Sequence, residues 1–128
     1  MARILVVDDA PDIRMLVRQV LGMQGHHIVE AAGGRAALAE LDSGRTIDLV
    51  ILDVQMPDLD GWMTLASIRG NVATAGTPVI LCSVRDGVVA RGRIGELEAE
   101  AYINKPFDVE DLRREVEGVL NRASGDQR

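Results

Sequence analysis

The chain has 128 residues and a net charge of −6, and 47% of it is hydrophobic although it holds one Trp, one Tyr and one Phe. That length makes a single domain able to bury roughly two-thirds of its unfolded surface, here in an aliphatic core. The acidic balance argues against nucleic acid as a direct partner, since phosphate backbones are held by Lys and Arg, and the single Cys82 excludes an internal disulfide and fits a reducing cytosol.

The opening, MARILVVDD, offers four apolar residues before two acids, far short of a signal-peptide core or a membrane span, so a soluble cytoplasmic protein is expected. Ile4–Val7 reads as a short strand running into Asp8-Asp9. Pro11 suits the first turn of a helix, where its missing N–H is no loss, and Ile13, Leu16, Val17, Val20 and Leu21 recur at helical spacing as far as a stop at Gly25. His27–Ala31 is more polar and suits a sheet edge. Gly33-Gly34 then opens an alanine-rich helix that closes near Ser43-Gly44. Ile47 and Leu49–Leu52 form an apolar run, as for a strand buried on both faces of a parallel sheet. It ends abruptly on Asp53, and Met56-Pro57 and Asp60-Gly61 interrupt regular structure before a helix carrying Leu65 and Ile68.

Thr77–Cys82 is the fourth strand and leads to Ser83. The helical stretch that follows is broken by Gly87, Gly92 and Gly95. At about 1 kcal/mol for each interior Gly, it is expected to be marginal despite the apolar Val88, Val89, Ile94 and Leu97. Ala101–Ile103 makes a short fifth strand before Lys105-Pro106. The last helix is the best specified: Asp108 as N-cap, Phe107 stapled onto Leu112, and an apolar stripe of Val109, Leu112, Val116, Val119 and Leu120. The domain is expected over residues 1–122, with 123–128 a polar tail.

Five strands alternating with five helices predict a doubly wound α/β fold with a parallel sheet covered on both faces. The most apolar strands, first and third, belong in the middle, and the polar second and short fifth at the edges. That is the flavodoxin-like order 2-1-3-4-5, with its switch point between strands one and three. Ligands of such sheets bind at the carboxyl ends of the strands. There the order gathers Asp8, Asp9, Asp53, Ser83 and Lys105. One Asp after a strand is more often a turn cap than a ligand, but three at neighbouring strand ends would repel one another unless a hard divalent cation relieved them. Removing Asp8 or Asp9 is therefore expected to stabilise the metal-free chain. Lys105 is the only lysine beside thirteen arginines; a compact ammonium on a flexible stem reaches points that a guanidinium fork does not.

These residues resemble the receiver domains of two-component response regulators over about residues 3–121. The match is to the acidic pair Asp8-Asp9, to D-x-x-M-P-x-x-D-G (Asp53, Met56, Pro57, Asp60, Gly61), to Ser83 ending strand four, and to the aromatic-x-x-Lys-Pro run (Tyr102, Lys105, Pro106) with Phe107. The resemblance implies a phosphorylation switch rather than an enzyme with turnover. Asp53 would accept a phosphoryl group from a sensor histidine kinase or a phosphotransfer protein. Asp8, Asp9, Asp53 and the backbone carbonyl of Gln55 would hold Mg²⁺, Asp8 largely through water, and Lys105 would neutralise the phosphoryl oxygens. Ser83 and Tyr102 would switch together, and an output protein or domain would dock on the face of helix four, strand five and helix five. Gln55 and Arg85 stand where the family tunes phosphate lifetime. Val84 and Glu98 replace the family's usual Ala and Gly.

Other readings compete. A phosphohydrolase with an Asp nucleophile needs an acid two residues on, where this chain has Gln55. A receiver-like binding module that works without phosphorylation usually lacks the acceptor or the acidic pair, and both are present. A receiver belonging to a longer regulator with its own output domain remains an alternative to a stand-alone switch. His26-His27 is no metal pair, because neighbouring strand residues face opposite ways. Cys82 is a small core residue, Trp62 packs beside the acidic loop, and Met15, Met23, Met56 and Met63 are ordinary core or loop residues.

Overall fold

The computed structural model describes residues 2–83 and 99–125. Five parallel strands, β1 (Arg3–Val7), β2 (His27–Ala31), β3 (Leu49–Asp53), β4 (Val79–Ser83) and β5 (Ala101–Asn104), pair in the order β2-β1-β3-β4-β5. Four helices are described: α1 (Pro11–Gly22), α2 (Gly34–Asp42), α3 (Gly61–Gly70) and α4 (Val109–Gly125). The expected order is thus the observed one. The further helix expected between β4 and β5, with its three glycines and with Val84, Arg85 and Glu98, lies outside the described residues.

The period of two along each central strand divides the core into two layers. Ile4, Val6, Leu49, Ile51, Ile80 and Cys82 face one side, where α1 brings Val17, Val20 and Leu21 and α4 brings Leu112, Val116 and Val119. Leu5, Val7, Val50, Leu52, Val79 and Leu81 face the other, against Ala37 of α2 and Trp62, Leu65 and Ile68 of α3. Every residue of β3 is buried, which explains its continuous apolar run. β2 is an edge, and its polar Glu30 is held by Arg14 and Arg18 of α1.

Local chemistry sets the helix ends. Pro11 opens α1 at its first position. The chain turns back after that helix through Gly25 at φ 92°, a left-handed conformation open to glycine. Asp60 caps α3 by accepting from the Met63 N–H at 2.9 Å, and Asp108 caps α4 by accepting from the Asp111 N–H at 2.8 Å. At its other end α3 is clasped by Arg69, which donates to the carbonyls of Ala75 and Thr77 and pairs with Glu100 just ahead of β5. Met56 and Trp62 are buried, whereas Met15, Met23 and Met63 are exposed. The scattered methionines are thus mostly surface residues. His26 accepts the Ala2 N–H on Nδ1, and His27 is exposed.

Candidate functional site

Parallel pairing brings all carboxyl ends to one edge of the sheet. β1 lies between β2 and β3, and the chain leaves it through Asp8 and Asp9. Asp8 is 3% exposed, and all its polar atoms are engaged. Its N–H donates to the Ala31 carbonyl, its Oδ1 accepts the Ala10 N–H at 2.9 Å, its backbone carbonyl accepts from Arg14 at 2.7 Å, and its Oδ2 meets Lys105 Nζ at 2.6 Å. Asp9 next to it is exposed.

Asp53 ends β3 in register with Cys82 and is 5% exposed. Its Oδ1 lies 3.2 Å from Lys105 Nζ. Burial, and then the charge of Asp8, push the Asp53 carboxyl above the usual carboxylate range, while Lys105 and the Gln55 N–H pull it back only in part. For Lys105, burial favours the neutral amine, but the hydrogen bond to Asp8 and the charges of both carboxylates prevail and raise its pKa. The ammonium is therefore firmly charged. A turn cap requires no such burial and no such partner. Burial in the layer below pushes the Cys82 thiol up to about 12, so it stays an inert thiol.

Lys105 reaches this point because its own backbone is pinned. Its N–H donates to the Ser83 carbonyl at 2.7 Å, continuing the β4–β5 ladder by one residue. Ser83 is half-buried at the end of β4. Tyr102 pairs with Leu81 in mid-strand and packs against the α2–α3 layer.

The loop between β3 and α3 is fixed at several places. The Gly61 N–H donates to the Val54 carbonyl at 2.8 Å, and a Cβ at Gly61 would overlap the Asp53 carbonyl oxygen and the Val54 Cα. Only glycine lets α3 start this close to the strand end. Asp58 accepts from the Gly34 and Arg35 N–H groups at the start of α2, both at 3.4 Å. The Leu59 N–H and then these two donors hold its carboxyl below the usual range. Gln55 is exposed in the same loop.

Carboxylate oxygens from Asp8, Asp9 and Asp53 all lie within 4.8 Å of one another. Three hard oxygen donors, two of them buried, suit a small divalent cation that keeps some of its waters. Sequence reasoning brought these acids and Lys105 together but missed Arg14 and Asp58. Arg14 left one trace, its position in the first turn of a helix that begins just after the acidic pair.

The description "response regulator receiver domain" fits residues 4–117. The chain belongs to that family. Receiver domains are signalling modules of two-component systems rather than enzymes in the ordinary sense; they work between histidine kinases and output domains and typically bind Mg²⁺. The transcriptional regulatory protein CpxR of Escherichia coli is 37% identical over 123 residues, which cover 96% of this chain and 51% of CpxR. The receiver thus spans about half the length of that curated relative. Protein PilG of Pseudomonas aeruginosa is 36% identical over 112 residues, 86% of this chain and 81% of PilG. Among solved structures, the chemotaxis protein CheY4 of Vibrio cholerae superposes with a TM-score of 0.87 at 31% identity, covering 94% of this chain and 99% of that one. The Thermotoga maritima response regulator TrrA, solved in complex with Mg²⁺-BeF, gives 0.81 at 34% identity and covers 94% and 100%. No described helix of this receiver is long and apolar enough to cross a membrane.

Proposed function

We propose that Asp53 is the phosphoacceptor of this receiver and that its donor is a phosphohistidine on a sensor kinase or phosphotransfer protein. The observation that carries the reading is the grouping of Asp53 with Asp8, Asp9 and Lys105 at the carboxyl edge of the sheet. An Asp53 carboxylate oxygen attacks phosphorus and forms the O–P bond. The N–P bond breaks, and its electron pair returns to the departing imidazole. The transition state is loose, so positioning and charge neutralisation do most of the work. Lys105 holds its ammonium where charge gathers on the phosphoryl oxygens.

Asp8, Asp9, Asp53 and the backbone carbonyl of Gln55 are the residues that would hold Mg²⁺, which when bound supplies further neutralisation of the phosphoryl charge. The TrrA complex with Mg²⁺-BeF supports this assignment by similarity. Ser83 and Tyr102 act as the switch pair, Ser83 at the strand end beside the site and Tyr102 behind it. Output leaves through the face of β5 and α4, toward an output protein or domain and not directly to nucleic acid. The module works in the cytoplasm. Gln55, two residues after Asp53, offers no carboxylic acid, which favours a stable acyl phosphate over phosphatase turnover.

The test is Asp53→Asn, which keeps the volume and removes the nucleophile. With a small phosphodonor and Mg²⁺, intact-mass analysis is expected to show one phosphoryl group on the wild type and none on the folded variant. A full equivalent on the variant would place the acceptor elsewhere.

A further inference from the structure

Arg14 has a job that neither its exposure nor its charge explains. It sits in the first turn of α1, and its side chain is 17% exposed although it is an arginine beside the surface. One terminal nitrogen donates to the backbone carbonyl of Asp8 at 2.7 Å, and Nε pairs with Glu30 Oε1 at 3.0 Å. Glu30 stands on the neighbouring strand β2, and its other oxygen is held by Arg18 at 2.7 Å. The guanidinium is therefore clamped between strand β2 and a single peptide unit. That peptide joins Asp8 to Asp9. A peptide unit is planar, so fixing the Asp8 carbonyl also fixes the Asp9 nitrogen and the axis about which Asp9 turns. Asp8 has further anchors in Ala31, Ala10 and Lys105, whereas Asp9 is exposed.

Resting on the reading of this edge as the cation site, we infer that Arg14 is a positioning residue: braced by Glu30, it pins the Asp8–Asp9 peptide so that the exposed Asp9 carboxylate stays aimed at the cation beside Asp8 and Asp53. Two effects of Arg14 on a divalent cation have opposite signs, which makes the inference testable. As a bare positive charge held against the Asp8 backbone it weakens cation binding, so its removal would tighten it. As a brace it strengthens binding, so its removal loosens it. Loss of outer contacts that orient metal ligands typically weakens affinity by about 10- to 100-fold.

Calorimetric titration of the metal-free chain with MgCl₂ reads the sign without any phosphoryl transfer. Arg14→Gln is expected to bind Mg²⁺ about tenfold more weakly than the wild type. Arg14→Lys keeps the charge and can reach the carbonyl, but it cannot grip Glu30 as a planar fork at the same time. It is expected to fall between the two, and it serves alone if the Gln variant does not fold. Arg18→Gln leaves both Arg14 contacts in place and should bind as the wild type does. Binding by Arg14→Gln and Arg14→Lys that equals or exceeds the wild type would overturn the inference and leave Asp53 as acceptor untouched. A wild-type chain that binds no Mg²⁺ would instead overturn the cation-site reading, and the inference with it.

Discussion

Asp8 and Lys105, 97 residues apart in the chain, meet at the edge of the sheet with Oδ2 and Nζ 2.6 Å apart. The same ammonium lies 3.2 Å from Asp53, so one lysine bridges two buried carboxylates delivered by different strands. Removing one partner of such a pair strands the other charge in a poorly solvated place, at a cost of about 3–5 kcal/mol. Lys105→Met is expected to lose stability near the lower end of that range when Mg²⁺ is absent, and to regain part of it when Mg²⁺ is added. Urea unfolding with and without the ion measures both. An unchanged midpoint without Mg²⁺ would mean that water already screens the pair.

The acids separate for the same reason. Counted from the sequence, three neighbouring carboxylates repel, and deleting Asp8 or Asp9 relieves the metal-free chain. In the fold Asp8 is the main partner of Lys105 and also accepts the Ala10 N–H, so Asp8→Ala is expected to destabilise the metal-free protein by about 2–3 kcal/mol. Asp9 is exposed, and Asp9→Ala should stay within about 0.5 kcal/mol of the wild type. Both variants should bind Mg²⁺ more weakly. Thermal melts in chelator separate them, and a higher midpoint for Asp8→Ala would restore the simple repulsion argument.

Much of this site could be read from the sequence because topology gathers strand ends whatever the side chains do. Once Ile4–Val7 and Leu49–Leu52 are central strands, Asp8 and Asp53 have to be neighbours, and the lone Lys105 follows a strand that ends at the same edge. Contacts across helices leave no such pattern. Arg14, Arg18 and Glu30 look like ordinary surface charges in the sequence, and their clamp depends on how α1 lies over β2. Arg69 and Glu100 are legible only once the loop after α3 folds back. The exposed methionines mislead in the opposite direction, since an apolar residue carries no sequence mark of which helix face it occupies when its neighbours are mixed.

The glycines divide by what surrounds them. A Cβ at Gly61 would overlap backbone atoms of Asp53 and Val54, which cannot move without shifting the strand end. Gly61→Ala is expected to cost about 1–3 kcal/mol, as overpacking does, and to slow labelling of Asp53 by a small phosphodonor. A Cβ added at Gly22, at the end of α1, would meet nothing within 4 Å. Gly22→Ala should raise stability by about 0.4–1 kcal/mol and leave labelling alone. Equal effects of the two substitutions on labelling would deny Gly61 any special relation to the acceptor.

Glu30 supplies a test by pH away from the cluster of acids. The hydrogen bond from Arg18 is the largest influence on its carboxyl. Partial burial opposes it, but the hydrogen bond from Arg14 and the charges of both arginines keep the pKa below its ordinary value of 4.5. A carboxylate with a lower pKa in the folded chain than in the unfolded one contributes stability that is complete above the unfolded value. That contribution is lost as pH falls through the folded value. Because the group is partly solvated, its worth near neutral pH is about 1 kcal/mol rather than that of a buried pair. Glu30→Gln carries no charge at any pH, so it should be less stable than the wild type at about pH 7 and approach it at about pH 3. Urea midpoints at the two pH values check the convergence. A gap that stays the same in acid would assign the role of Glu30 to shape and neutral hydrogen bonding, and would remove charge from the reasons that Arg14 stays in place.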